Sequence, residues 1–201
     1  MQQDLDNTGA YQAAAKRLVA QLMDFTPNPK KETIILVLHA SNHKTSNTSM
    51  LWDMIKKDLH HCKITEISLR NGTVHDCSGC QFKMCMHFSE KSSCYYGGVI
   101  VEQVYPAIEA CDAVVLLCPN YNDALSANLT AFINRLTALF RKNQFYEKSI
   151  FALVVSGYSG GNIVAEQVIS AMSMNKTFRL PPYFAMVETA NNPASILEVE
   201  D

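Results

Sequence analysis

The sequence predicts a three-layer, doubly wound α/β domain built on a five-stranded parallel sheet. Short apolar segments rich in Ile and Val, typical of strands buried on both faces, alternate with amphipathic segments of helical period. Each intervening segment is long enough to return the chain parallel to the preceding strand. The chain has 201 residues, which fits one domain, and 48% of them are apolar, which is enough for a full core.

The predicted strands share a high content of branched apolar side chains. They cover residues 33–39, 63–69, 112–118, 149–155 and 183–187. The predicted helices carry apolar residues on one face and cover residues 47–59, 99–110, 126–140 and 161–174. Between the second strand and the second helix, residues 71–98 are expected to form a loop. Trp52, on the first helix, is expected at the surface or in an interface.

The first thirty residues are predicted to form a helical extension, which leaves residues 31–201 as the domain. Apolar residues recur at helical spacing from Tyr11 to Phe25, and Pro27 and Pro29 end the pattern. We expect this helix to pack as a strut rather than to take part in catalysis.

Charge and hydropathy exclude several classes of protein. The chain has 17 Lys and Arg against 19 Asp and Glu, a net charge of -2, which is unlike a general nucleic-acid binder. Its apolar runs are far shorter than the ~18–20 residues of a membrane span, and the first residues do not resemble a signal peptide. We therefore expect a cytoplasmic protein that binds neither nucleic acid nor a membrane. In that compartment the seven cysteines would be free thiols unless they bind metal or do redox chemistry.

The segment after the first strand is dense in hydroxyl and amide side chains and opens directly into a helix. A helix N-terminus offers unpaired N–H groups and partial positive charge, so added hydroxyl donors favour a site for a phosphate monoester. Neither the G-x-x-x-x-G-K-[ST] nor the G-x-G-x-x-G pattern is present. The candidate phosphate-binding residues are Ser41, His43, Lys44, Ser46, Asn47 and Thr48.

This loop resembles the S-x-R-K-x-x-N-T phosphate loop of the NAD(P)H-dependent FMN reductase family, whose fold is flavodoxin-like. Ser41, Lys44, Asn47 and Thr48 match, whereas His43 stands where the family usually has Arg. The resemblance implies a flavodoxin-like sheet of order 2-1-3-4-5. It also implies an FMN phosphate held mainly by hydroxyls and amides.

A second and longer match follows the third strand. It resembles the family's S-P-x-Y-x-x-x-x-S-A-x-L-K-x-F-x-D-R segment, with Asn134 in place of the usual Asp. The matching residues are Pro119, Tyr121, Ser126, Ala127, Leu129, Phe132 and Arg135. In the family this loop runs along the isoalloxazine ring, which implies ring contacts from Pro119, Asn120, Tyr121 and Asn122. A third, Gly-rich loop resembles the one that closes over the flavin, and it implies contacts from Ser156, Gly157, Ser159 and Gly160.

Four cysteines form the pattern C-x2-C-x4-C-x8-C at Cys77, Cys80, Cys85 and Cys94. Such a set could hold an iron–sulfur cluster or zinc. The pattern is similar to the four-cysteine motif of the family's iron–sulfur flavoprotein branch, which binds a [4Fe–4S] cluster. The gaps before the third and fourth cysteines are longer here, so free thiols are favoured over a cluster, and a cluster over zinc.

The resemblance implies an FMN-dependent NAD(P)H oxidoreductase that reduces flavin, quinone or nitro- or azo-aromatic acceptors by a ping-pong scheme. The flavin would carry the chemistry, so no side chain is expected to act as a catalytic acid or base. The implied assembly is a homodimer or homotetramer. Two alternatives remain open. One is an electron carrier with a cluster in the cysteine segment, and the other is a non-catalytic domain that binds zinc or senses oxidants through its thiols.

Overall fold

The computed structural model describes residues 32–41, 44–70 and 74–198, with only the backbone described at residue 198. The helical extension predicted for residues 1–30 lies outside the described residues, and so does His43.

Five parallel strands form one sheet in the order β2-β1-β3-β4-β5. The strands are β1 (Thr33–His39), β2 (Cys62–Ser68), β3 (Ala113–Pro119), β4 (Ser149–Ser156) and β5 (Ala185–Thr189). This is the flavodoxin-like order, and it confirms the predicted fold class.

Both faces of the sheet are covered, which explains why the central strands read as continuous apolar runs. In β1, Leu36 and Leu38 pack into the larger core, whereas Ile35 and Val37 pack into the smaller core on the opposite face. Successive side chains of a strand point to opposite faces, so both sets must be apolar. Trp52 is only 2% exposed in the smaller core, so the expectation of a surface position was wrong.

Helical segments follow most strands. They are α1 (Asn47–Lys56), α2 (Phe82–Ser89), α3 (Tyr105–Ala110), α4 (Ala127–Phe140) and α5 (Gly161–Val168). A π-helical segment (Ile100–Val104) precedes α3, another (Ile169–Met174) continues α5, and a 3₁₀ turn (Ser195–Glu198) comes near the end. None of the helices in the described part of the chain is long and apolar enough to cross a membrane.

The structure departs from the sequence prediction mainly between β2 and α3, where a loop was expected and α2 forms. The N-terminus of α2 has no side-chain cap, so the local sequence signals for a helix were weak there. Contacts with α4 stabilise it, because the buried Ser89 hydroxyl donates to the Ala138 carbonyl oxygen at 2.5 Å. Phe88 also packs edge-on against Tyr95. Tertiary packing therefore produces a helix that propensity alone did not indicate.

Candidate functional site

A pocket of about 470 Å³ opens where the segments after β1, β3 and β4 meet at the carboxyl edge of the sheet. Open α/β sheets bind ligands at this edge, where the strand order reverses. The volume falls within the ~300–1,000 Å³ of small-molecule sites. The lining residues are Ser41, Thr45, Ser46, Asn47, Thr48, Pro119, Asn120, Tyr121, Val155, Gly157, Ala190, Asn191 and Pro193. We call this the main pocket.

The main pocket brings together most of the predicted cofactor-binding residues that the structure describes. Those that line it are Ser41, Ser46, Asn47, Thr48, Pro119, Asn120, Tyr121 and Gly157. Lys44, Asn122, Ser156, Ser159 and Gly160 are not among the lining residues. None of the described lining residues is charged, so an anion here would be held by hydroxyls and backbone N–H groups.

The N-terminus of α1 forms one wall. Ser46 caps the helix with extended backbone angles, and its Oγ accepts from the Ser49 N–H at 3.4 Å. Thr48 is only 3% exposed. The first N–H groups of a helix have no partner within it and carry partial positive charge. The wall therefore has the donors that a phosphate requires.

Asn47 lies in this wall, but its side chain is already hydrogen-bonded to other parts of the protein. Its Nδ2 donates to the carbonyl oxygens of Ala190 at 3.1 Å and Asn192 at 2.9 Å. Its Oδ1 accepts from the Ile196 N–H at 3.3 Å. Asn47 thus ties α1 to the segment that follows β5, and any contribution to a phosphate would come from its backbone.

Asn120, directly after β3, has a buried acceptor atom without a partner. Its Nδ2 donates to Ser156 Oγ at 2.9 Å and to the Ser159 carbonyl oxygen at 3.0 Å. Its backbone N–H donates to the Val155 carbonyl oxygen at 2.8 Å. With the amide fixed on that side, the Oδ1 is buried and makes no hydrogen bond within the described structure. A buried acceptor of this kind is expected to meet a donor from a ligand.

Tyr121 is presented by a tight turn. Asn122 and Asp123 both have a φ of 55°, and Tyr121 forms an antiparallel bridge with Ala124. Two successive positive φ angles define a type I′ turn, which Asn and Asp tolerate well. Gln167 of α5 fixes the turn, because its Nε2 donates to the Asp123 carbonyl oxygen at 2.8 Å. The turn leaves the Tyr121 ring 61% exposed at the pocket mouth.

The Gly-rich segment after β4 supports this turn rather than lining much of the pocket. Ser156 Oγ donates to the Ser159 carbonyl oxygen at 2.5 Å, which closes the segment on itself. Gly160 has a φ of 81°, and a Cβ there would fall 1.7 Å from Asp123 Oδ1. At this position only glycine lets the Asp123 carboxylate pack against the backbone.

The segment after β5 was missed by the sequence analysis. Ala190, Asn191 and Pro193 complete the main pocket. Asn191 Nδ2 donates to Tyr158 Oη at 2.7 Å, and a Cβ on Gly157 would lie 2.9 Å from Asn191 Oδ1. The signal was present in the Asn-Asn-Pro turn, because a fifth parallel strand must end at the same edge as the others.

A second pocket of about 410 Å³, which we call the side pocket, shares Ser41 and Tyr121 with the main pocket. Arg70 and Ser126, which precedes α4, also line it. The Ser126 hydroxyl is buried and has no partner within the described structure. Arg70 supplies a positive charge beside the uncharged main pocket.

The four clustered cysteines line a separate cavity of about 80 Å³ between α2 and α4, which we call the thiol cavity. Cys77, Cys80, Cys85 and Cys94 are all free thiols. Within the described ranges, no three His, Cys, Asp or Glu residues are arranged to hold a metal ion. The predicted set therefore comes together around one space without forming a ligand shell.

Two residues fix the wall of the thiol cavity. The Arg135 side chain is 1% exposed, and its Nη2 donates to the Gly97 carbonyl oxygen at 2.7 Å. Its own carbonyl oxygen accepts from Tyr105 Oη at 2.5 Å. Burial raises the pKa of the Tyr105 hydroxyl, and the nearby Cys94 thiol raises it further, so this hydroxyl stays a donor.

Comparison with known proteins places these pockets in context. The model of a family described as NADPH-dependent FMN reductase matches residues 33–192. No functionally curated protein matches the chain.

Several solved structures are similar in fold. An azoreductase from Bacillus anthracis str. Sterne is 16% identical with a TM-score of 0.56, covering 83% of this chain and 92% of that one. An apo NADH:FMN oxidoreductase (EmoB) is 15% identical with a TM-score of 0.55, covering 84% and 81%. RosB, solved with 8-demethyl-8-formylriboflavin-5′-phosphate, is 14% identical with a TM-score of 0.58, covering 81% and 67%. At these identities the likeness shows the fold alone.

Proposed function

The chain belongs to the NADPH-dependent FMN reductase family, and on this premise we propose that it holds FMN in the main pocket and oxidises NAD(P)H to reduce a small aromatic acceptor. The acceptor classes are free flavin, quinones and nitro- or azo-aromatics. The observation that carries the proposal is the Asn120 Oδ1, which has no partner among the described residues, in a pocket that also has the N-terminus of α1 as a wall.

The residues present fit FMN. Its phosphate needs donors, which the N–H groups at the start of α1 and the Ser46 hydroxyl supply. Its ring carries an imide N–H, which matches the unpartnered acceptor of Asn120. Its flat apolar surface matches the exposed ring of Tyr121. The pocket thus offers partners for the phosphate, for the imide edge of the ring and for the ring face.

The protein's own residues bind and orient. Ser46 and the start of α1 would hold the phosphate, Asn120 would fix the ring edge, and Tyr121 would cover the ring. When bound, FMN supplies the hydride and electron chemistry. The side pocket, with Arg70, lies beside it and would receive NAD(P)H and then the acceptor in turn. Because NAD(P)H and the acceptor would bind in succession, the chain would never hold both substrates at once, which gives a ping-pong scheme.

Flavin binding and steady-state kinetics test the proposal. The chain should bind FMN more tightly than riboflavin, since riboflavin lacks the phosphate. Double-reciprocal plots with NAD(P)H and a quinone should give parallel lines. A chain that does not bind FMN, or binds riboflavin equally well, contradicts the proposal.

Asn120→Ala tests the ring contact directly. Loss of one hydrogen bond from a buried acceptor should weaken FMN binding by about 1–3 kcal/mol. FMN methylated at the imide nitrogen should bind the native chain more weakly than FMN, whereas Asn120→Ala should no longer distinguish the two. If methylation weakened FMN binding equally in the native chain and in Asn120→Ala, Asn120 would not contact the imide.

The electron-carrier alternative draws on one observation, the position of four thiols around the thiol cavity. An absorption spectrum of anaerobically purified protein separates the candidates. Flavin bands alone favour the reductase, whereas a broad band bleached by dithionite together with iron on analysis favours the carrier. A colourless protein that does not bind FMN, but binds zinc or responds to oxidants through its thiols, would favour the non-catalytic alternative.

The cellular location, the assembly and the partners of the chain are part of the same proposal. We propose a cytoplasmic homodimer or homotetramer with no nucleic-acid or membrane partner. Light scattering of the flavin-loaded protein measures its mass, and a monomer at micromolar concentration would contradict the assembly.

A further inference from the structure

The thiol cavity places a sulfur next to a guanidinium. The Nε of Arg141 donates to Cys85 Sγ at 3.1 Å. The same guanidinium lies 4.7 Å from the centre of the Phe82 ring, which holds it over α2. A neighbouring guanidinium stabilises the thiolate, which is the nucleophilic form of cysteine. Cys85 is half-buried and lines the thiol cavity together with the exposed Cys77.

Of the two other half-buried thiols in the cavity, Cys94 shares the environment of Cys85, whereas Cys80 is not packed against the larger core. The side chains of Cys85 and Cys94 both pack against the larger core and line the same cavity.

The three cysteines outside the thiol cavity provide a contrast within the same chain. Burial raises the pKa of Cys111 to about 11 and that of Cys118 to about 12. Both are in the larger core, and buried apolar cysteines are inert. Cys62 has intermediate exposure but lies at the start of β2 and is not part of the thiol cavity.

We propose that Cys85 and Cys94 form a peroxide-responsive dithiol, in which Cys85 is oxidised first and Cys94 closes a disulfide. The Cys85 thiolate attacks hydrogen peroxide, so that an S–O bond forms, the O–O bond breaks and water leaves after protonation. Cys94 then attacks the Cys85 sulfur, an S–S bond forms and the second oxygen leaves as water. Two thiols lose two electrons and one peroxide gains them. This modification does not depend on the flavin.

Mass mapping after hydrogen peroxide treatment, without any reductant, tests the pairing. The intact protein should yield a peptide linking Cys85 to Cys94, reversible by dithiothreitol. In Cys94→Ser the second step cannot occur, so a sulfenic acid should accumulate at Cys85 and be trapped by dimedone. Linkage that leaves Cys85 out, or dimedone labelling elsewhere in Cys94→Ser, overturns the proposal.

The role of the guanidinium is tested separately by Arg141→Gln. Arg141 is exposed, so the variant should fold. The rate of Cys85 oxidation should fall on the order of tenfold, the factor that corresponds to losing one charge-assisted hydrogen bond to the reacting sulfur. Arg141→Lys, which keeps the charge, should recover part of the rate. Cys62 provides the matched internal control, because its alkylation rate should be the same in all variants. An unchanged Cys85 rate in Arg141→Gln would overturn the proposal.

Discussion

The side chain of Asn47 donates from Nδ2 to the carbonyl oxygen of Asn192 at 2.9 Å, across nearly the whole length of the domain sequence. The same side chain also bonds Ala190 and Ile196. A residue that the motif assigns to phosphate binding therefore closes the main pocket by joining its first and last segments. The Asn47 amide thus joins the pocket wall at α1 to the wall after β5, beside a backbone bond from the Ala194 N–H to the Thr45 carbonyl oxygen.

Asn47→Ala should destabilise the chain even without flavin. Removal of the amide leaves the backbone groups it bonds unpaired, and we expect the free energy of unfolding to fall by about 1–3 kcal/mol. FMN binding should weaken as well, because the wall after β5 is no longer held. Urea denaturation of the flavin-free protein measures the first effect, and fluorescence titration measures the second.

Asn192→Ala is the matched control for this change. It removes a side chain but keeps the carbonyl oxygen that Asn47 bonds, so stability should stay within about 0.5 kcal/mol. Normal stability of flavin-free Asn47→Ala combined with weaker FMN binding would instead support a direct phosphate contact.

The sequence predicted the strands and the edge at which they end, because both follow from apolar periodicity and from the rule for parallel sheets. It identified the loops of Ser46, Asn120 and Gly157 as pocket walls. It could not show that the Asn47 amide faces another backbone segment, since partners over a hundred residues away leave no local signal. The α2 helix was missed for a related reason, because Ser89 is fixed by Ala138 on α4, which lies 49 residues further along the chain.

Gly160→Ala should displace the turn that presents Tyr121. A Cβ at this residue would lie 1.7 Å from Asp123 Oδ1, and its φ of 81° is strained for any side chain. We expect a loss of at least ~1–3 kcal/mol in stability from these combined effects, together with weaker FMN binding. Thermal unfolding and fluorescence titration measure both.

Gly79→Ala separates backbone strain from the clash. Gly79 has a φ of 65°, but a Cβ there would meet nothing within 4 Å. It should lose stability by about 1 kcal/mol through strain alone and bind FMN normally. Equal flavin affinity in the two variants would show that the contact between Gly160 and Asp123 does not position the pocket.

Arg135 links the family motif to the cysteine segment, a role that the motif match did not reveal. Arg135→Met removes the donor to the Gly97 carbonyl oxygen and should lower the free energy of unfolding by about 1–3 kcal/mol. Hydrogen exchange should rise around residues 94–98. Asn134→Ala, next to it, removes only an exposed bond from Asn134 Nδ2 to Asp76 Oδ1 at 2.9 Å and should change stability by less than about 0.5 kcal/mol. Similar losses in both variants would contradict a specific role for Arg135.

Lys176 should make stability rise with pH in the alkaline range. Its side chain is 7% exposed, and its ammonium lies 5.5 Å from the centre of the Phe140 ring and bonds Asn175 Oδ1. Burial lowers its pKa below the ordinary 10.5, and the charge of Arg141 lowers it further. Between the lowered pKa and 10.5 the folded chain binds fewer protons than the unfolded chain, so unfolding becomes less favourable as pH rises through that window.

Lys176→Met should remove this dependence. The stability difference between the variant and the native chain should favour the variant most at neutral pH and shrink as pH approaches 10.5. Loss of the contact with Phe140 lowers the stability of the variant by roughly 0.5–1 kcal/mol at neutral pH, where the ammonium is charged.

Asn175→Ala is the control. It keeps the ammonium but removes its acceptor, so its free energy of unfolding should still rise with pH. Urea denaturation between pH 6 and pH 10 measures the free energy of unfolding of the native chain and of both variants. A difference of ~1 kcal/mol between two of them is a large effect. Parallel curves for Lys176→Met and the native chain would show that the buried ammonium is not penalised.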